Sequence, residues 1–210
     1  MDNLVNIFIA VATPFFICAF LVEKRERVRL ISMLAGFTVA FLTGYVNSYF
    51  AALFGMDVAT ATQNVTPVVE EVMKLLPVLF FALGFAEEKR QIWVVAVEIG
   101  LGFSIMENSA YLVSYGAESL PFVIVRGLAT GVLHPFCLLL SGIGACALFE
   151  EKKFALLRLF AFTCTAMMVH GMYNLLVGAE QMSFRLIGCF LPFASVIFFV
   201  LYRKKYWKQE

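Results

Sequence analysis

Seven apolar stretches, each about as long as a bilayer-crossing helix and separated by short charged or glycine-containing breaks, constrain this chain more than any other feature. A span needs roughly 20 apolar residues at about 1.5 Å rise each. Such stretches fall near residues 3–22, 30–54, 66–86, 91–115, 120–149, 154–178 and 183–202. The chain is 61% hydrophobic and only 15% charged, with a mean hydropathy of +0.86. One water-soluble core of 210 residues could not hide that much apolar surface. The expectation is an all-α, polytopic bundle of about seven transmembrane helices, forming a single integral membrane domain over residues 1–210 with the lipid bilayer as its solvent.

Basic residues mark alternate breaks: Lys24, Arg25, Arg27 and Arg29; then Lys89 and Arg90; then Lys152, Lys153 and Arg158; then Arg203, Lys204, Lys205 and Lys208. The positive-inside rule puts those breaks in the cytoplasm, the N-terminus outside and the C-terminus inside, the opposite termini that an odd span count requires. The first stretch lacks a basic n-region and reads as a retained anchor, not a signal peptide. A net charge of +1 calls for no nucleic-acid partner. The five cysteines, Cys18, Cys137, Cys146, Cys164 and Cys189, lie in apolar stretches and are expected to be buried thiols.

Ionisable residues inside spans cost about 2.5–3.5 kcal/mol each on insertion scales, so they tend to face the bundle interior and mark function. Here they gather on four successive spans: Glu70, Glu71 and Lys74; then Glu98, Glu107 and Asn108; then Arg126 and His134; then His170 and Asn174. Residues three and four apart share a helix face, so Glu70 and Glu71 can both reach Lys74, and His170 stacks with Asn174. Counted inward from the expected outer ends at about 1.5 Å per residue, Glu70 lies roughly 6–10 Å deep, Glu107 and His170 about 12 Å, and His134 about 21 Å. That places carboxylates, imidazoles and an amide in the outer half of the bilayer. Taken singly, each has a plainer role: an intrahelical ion pair among Glu70, Glu71 and Lys74 near a helix N-terminus, interhelical hydrogen bonding for either histidine, neutralisation of a carboxylate by Arg126. Glu98 is nearer the cytoplasmic end and reads as structural.

Hydrolysing a peptide bond takes a base for water, donors for the oxyanion and an acid for the leaving amine. Buried glutamates, histidines and an asparagine can fill those roles, whereas the serine elbow G-x-S-x-G and a pair of membrane aspartates are absent from the sequence. Cys137, three residues from His134, is weak grounds for a thiol nucleophile.

At these positions the chain resembles a known family. Glu70-Glu71-Val72-Met73-Lys74 fits E-E-x-x-K, and Gly102 to Tyr111 fits G-F-x-x-x-E-N-x-x-Y. Arg126 precedes His134 at a suitable spacing, and His170-Gly171-Met172-Tyr173-Asn174 fits H-G-x-Y-N. Together they resemble the PrsW family of bacterial intramembrane proteases, distantly similar to the CAAX prenyl-protein proteases, over a motif-bearing core of about 66–175. The resemblance implies a multi-pass protein of the cell membrane that makes the site-1 cut in a single-span membrane protein, such as an anti-sigma factor, near the extracytoplasmic face. By analogy Glu70 would be the base for water with help from His134, and His170 and Asn174 would stabilise the oxyanion. Glu71 and Lys74 would tune Glu70, Glu107 with Asn108 would orient a histidine or complete the site, and Arg126 would support it.

No cofactor is favoured, but zinc is an option: His134, His170 and Glu107 could ligate it and leave Glu70 as base. H-E-x-x-H is absent, so the ligands would have to converge from separate spans. Other readings of the same residues are a proton- or ion-coupled transporter, a non-catalytic membrane scaffold of the same fold, and a bis-histidine haem site on His134 and His170, which leaves the glutamates unexplained.

Overall fold

A computed structural model describes residues 2–116, 119–150 and 153–206. Lys152 and Lys208, which the topology reading uses, lie outside the described residues. The chain runs as α1 (Asp2–Leu21), α2 (Lys24–Leu53), α3 (Val58–Asn64), α4 (Thr66–Gly84), α5 (Lys89–Tyr115), α6 (Leu120–Phe149), α7 (Ala155–Val177) and α8 (Met182–Tyr206). Among the described residues there is no strand.

Seven of these helices coincide with the seven apolar stretches, and the break after α2 holds one short helix besides. Its start is set by Asp57, whose side chain accepts the Thr60 backbone N–H at 2.7 Å, an N-cap that also holds the Asp57 carboxyl below its usual range. At seven residues and with the polar sequence Val-Ala-Thr-Ala-Thr-Gln-Asn, α3 is too short to cross a membrane. Pro67 in the first turn of α4 sits where a helix needs no N–H, and Ser119 caps α6 through the Phe122 N–H.

Five helices, α2, α5, α6, α7 and α8, are long and apolar enough to cross a membrane. Helix α1 has an apolar stretch of Val5–Leu21, and α4, 19 residues long, carries Glu70, Glu71 and Lys74. The outward surface is apolar: Phe160 (67% exposed), Leu156, Met168, Phe190 and Ile197 all project from the bundle, a surface suited to lipid. All five cysteines are free thiols; Cys137 and Cys146 are buried, whereas Cys18 is exposed on the lipid-suited surface of α1.

Helix α4 is central, touching α2, α5, α6 and α7, while α5 packs closely between α2 and α6. Small residues permit this closeness, as is common between membrane helices. A Cβ on Gly36 of α2 would stand 2.2 Å from the Ile99 carbonyl oxygen of α5, and one on Gly102 of α5 would stand 2.1 Å from that of Met33 of α2. At the α5–α6 crossing a Cβ on Gly100 would meet the Pro135 Cα at 2.5 Å and the His134 carbonyl carbon at 2.9 Å. Gly100→Ala therefore pushes α6 away beside His134. It is expected to lower stability by about 1–3 kcal/mol, the range for overpacking, and to depress activity with it. Thermal unfolding of the purified protein checks this, with Gly44→Ala, whose Cβ meets nothing within 4 Å, as the comparison that stays near wild type.

Candidate active site in the bundle interior

Because α4 is packed on by four other long helices, its polar face is largely buried. Glu71 and Lys74 are fully buried and Glu70 is 6% exposed. One turn of helix brings Lys74 Nζ to Glu71 Oε1 at 2.6 Å. Glu70, rotated about 100° from Glu71 on the helix, points to a different neighbour, so Lys74 pairs with Glu71 of the two glutamates that the spacing offered it.

From Lys74 the network crosses between helices. Its ammonium also reaches His134 Nδ1 on α6 at 3.0 Å and lies 4.6 Å from the centre of the Phe103 ring. Since an ammonium can only donate, Nδ1 of His134 accepts, and the ring proton resides on Nε2, which donates to Glu107 Oε2 of α5 at 2.5 Å. Glu107 Oε1 in turn accepts from Arg126 Nη2 at 3.1 Å, and the Arg126 guanidinium lies 3.7 Å over the Tyr111 ring. On the other side, His170 Nδ1 of α7 donates to Glu71 Oε1 at 2.8 Å. That bond leaves the neutral ring's lone pair on Nε2, which faces Glu70 Oε2 at 3.7 Å. The two imidazoles meet edge to face with centres 5.0 Å apart.

Charge decides what is special about Glu70. The cluster holds three carboxylates, Glu70, Glu71 and Glu107, against two permanent cations, Lys74 and Arg126. Lys74 is bound to Glu71 and Arg126 to Glu107, so the carboxylate in excess is Glu70, and its buried Oε2 makes no hydrogen bond. A buried charge without a partner costs several kcal/mol, which a proton, a bound cation or a polarised water can relieve. Glu70 and Glu107 both line a cavity of about 420 Å³ between α2, α4 and α5.

The structure thus joins Glu70, Glu71, Lys74, Glu107, Arg126, His134 and His170. Asn108 stands beside them, its Nδ2 donating to Thr130 Oγ1 at 2.7 Å, and Thr130 donates in turn to the Arg126 carbonyl. Asn174 is drawn elsewhere: its Nδ2 donates to the Thr62 carbonyl of α3 at 3.1 Å, so it ties α7 to the short helix. Glu98 is partly buried near Arg29, away from the cluster. Thr130 escaped the sequence reading, although its place four residues after Arg126 was a usable signal. The cavity wall from α2, including Thr43 and Asn47, carried no signal, because α2 reads as plain hydropathy.

For a metal ion, Glu70, His134 and His170 each offer one ligand atom, all within 4.8 Å of one another. This trio differs by one carboxylate from the His134, His170 and Glu107 set that the sequence suggests, since Glu107 is engaged by His134 and Arg126. The free Glu70 Oε2 and the Nε2 lone pair of His170 suit a metal as they stand. His134 would first have to release Lys74 or Glu107.

A family model described as "PrsW family intramembrane metalloprotease" matches residues 24–203, so the likeness extends beyond the 66–175 core to include α2 and most of α8. No curated protein and no solved structure matches the chain.

Proposed function

This chain belongs to the PrsW family of intramembrane metalloproteases, and from that premise we propose that it hydrolyses a peptide bond of a single-span membrane protein near the extracytoplasmic face, with Glu70 activating water. It is a multi-pass membrane protease whose substrate is a membrane protein; the finer reading rests above all on Glu70, the carboxylate of the cluster that Lys74 and Arg126 leave without an ion pair, its buried Oε2 without a hydrogen bond and on the wall of a cavity. In this reading α1 and α4 complete seven spans, and an anti-sigma factor of a bacterial cell membrane is the type of substrate.

The residues divide the work by their bonds. A water in the cavity gives a proton to Glu70 as its oxygen attacks the substrate carbonyl carbon, and the proton then passes to the leaving amine, so the base becomes the acid. His170, held by Glu71 through Nδ1, presents Nε2 beside Glu70 and can accept or return that proton. Lys74 holds both Glu71 and His134 in place and supplies positive charge without touching the cavity. Arg126 and the His134 N–H together hold Glu107 in place at the cavity wall. Where a divalent ion such as zinc is bound, Glu70, His134 and His170 would hold it, and it would act as a Lewis acid on the water or the carbonyl. Glu71 on His170 Nδ1 then has the orienting role that carboxylates play behind metal-bound histidines.

Comparing membrane-protein fragments in cells that carry the wild-type or the Glu70→Ala protein tests the function and identifies the substrate. The expected result is one or a few shortened membrane proteins that need Glu70. Chelation of the purified, active enzyme followed by zinc addition tests the metal: activity surviving exhaustive chelation leaves Glu70 acting directly on water, and activity lost and then regained with zinc makes the trio its ligands. Orientation has its own check, since cysteines near Asp57 and Glu180 are expected to react with an impermeant reagent in intact cells and a C-terminal one is not.

A further inference from the structure

Helix-interior glycines are costly unless close packing repays them, and α2 contains both kinds. Gly36 is pressed against the α5 backbone, whereas a Cβ on Gly44, two turns later, would meet nothing within 4 Å. Gly44 belongs to a row of small residues, Gly36, Ala40, Gly44 and Ser48, spaced four apart on α2. The facing row on α5 is Gly102, Met106, Ala110 and Ser114. The cavity lies on the C-terminal side of the Gly36–Gly102 crossing along both helices, so the two helices run parallel. They touch at Gly36 and Gly102 and have a cavity between them from Ala40 and Met106 onward to Ser48 and Ser114. At about 1.5 Å per residue, the open part extends roughly 18 Å from the crossing. Glu70, nine-tenths buried and with Oε2 unpartnered, stands on the wall of the same cavity.

We infer that this cleft is the slot through which an unwound stretch of the substrate's membrane segment reaches Glu70, with the Gly36–Gly102 crossing as its closed end and Gly44 as the clearance for the incoming chain. The inference rests on the protease reading and specifies how that site receives its substrate. An extended peptide is the occupant because of what the walls offer. Backbone N–H and C=O groups freed from a helix cannot remain unpaired at membrane depth unless they line a polar cavity, and the cleft supplies polar partners along its walls. The Asn47 side-chain Oδ1 is buried and without a hydrogen bond, and the Ser48 hydroxyl, which donates to the Gly44 backbone carbonyl at 2.8 Å, keeps lone pairs for a peptide N–H. A folded helix would satisfy its own backbone and leave Asn47 as it is.

The test uses the full-length enzyme in proteoliposomes with the single-span protein whose fragments depend on Glu70. Gly44→Leu, which has open space around it, is expected to retain the wild-type melting temperature and to lose at least about tenfold in kcat/KM, mainly through a raised KM, while Met168→Leu, outside the cleft and 73% exposed, stays within about twofold. As a second readout, Ser48→Cys in a Glu70→Gln background is expected to form a disulfide with a single cysteine in the outer part of the substrate's membrane segment, above the level set by the native cysteines. Met168→Cys, on the lipid-facing side of α7 and 73% exposed, is not. Wild-type cleavage by a well-folded Gly44→Leu protein, or equal cross-linking from Met168→Cys, overturns the slot and leaves the protease reading standing. Cells that yield no Glu70-dependent fragment overturn the protease reading and the slot with it, whereas the Gly44→Leu and cross-linking results overturn the slot alone.

Discussion

Glu70→Gln is expected to lower the rate of substrate cleavage by about 10³-fold, within the range for losing a general acid–base group, while the protein inserts and folds as the wild type does. The substitution keeps the size of the side chain and removes only the charge that the cluster leaves unbalanced, so folding has nothing to lose by it. His170→Ala should cost nearly as much, because its Nε2 is the ring nitrogen that faces Glu70. Groups that act as a unit give non-additive losses, so the double variant should be little slower than either single one. Glu98→Gln, outside the network, should stay near wild type. Rates of purified variants against the same reconstituted substrate measure all four, and a Glu70→Gln enzyme working at the wild-type rate would remove the glutamate from the mechanism.

Lys74→Met is expected to have the largest effect on stability. Lys74 and Glu71 are both fully buried, and removing one partner of such a pair strands the other charge at a cost of about 3–5 kcal/mol. The same change takes away the donor on His134 Nδ1, so the tautomer that keeps the Nε2 proton on Glu107 is no longer imposed, and activity should fall with stability. Removing both charges in Glu71→Gln/Lys74→Met should recover most of the lost stability, since no ion is then left unpaired, but not the activity, because His170 loses its carboxylate partner. Unfolding midpoints in one detergent, read beside cleavage rates, separate the two effects. Equal destabilisation in the single and double variants would show that the pair is not held together by charge.

The members of the buried polar cluster were legible because membranes penalise stray polarity: Glu70, Glu71, Lys74, Glu107, Arg126, His134 and His170 stand out where apolar residues are the rule. Their pairing was not legible. Helical spacing left Lys74 free to choose Glu70 or Glu71, and only the positions of α6 and α7 decide that Glu71 takes Lys74 and His170 while Glu70 goes without. Asn174 shows the opposite error of spacing. It lies one turn from His170 along α7, yet its amide reaches Thr62 of α3, a helix that the sequence reading had passed over as a break.

Sequence alone was enough for the all-helical build, the seven long apolar segments and the polar residues that they carry, since each follows from local hydropathy and from the period of a helix, which neighbouring residues set among themselves. Tertiary structure decided which carboxylate is left over, which histidine nitrogen is free and where α2 leaves room beside Glu70. Those outcomes depend on how far apart two helix axes lie and how each is rotated. Such quantities are set by contacts between residues distant in the chain, as where Gly36 meets Gly102 and Gly100 meets Pro135, and a single glycine read in sequence does not say whether its missing side chain is filled by a neighbouring backbone, as at Gly36, or left open, as at Gly44.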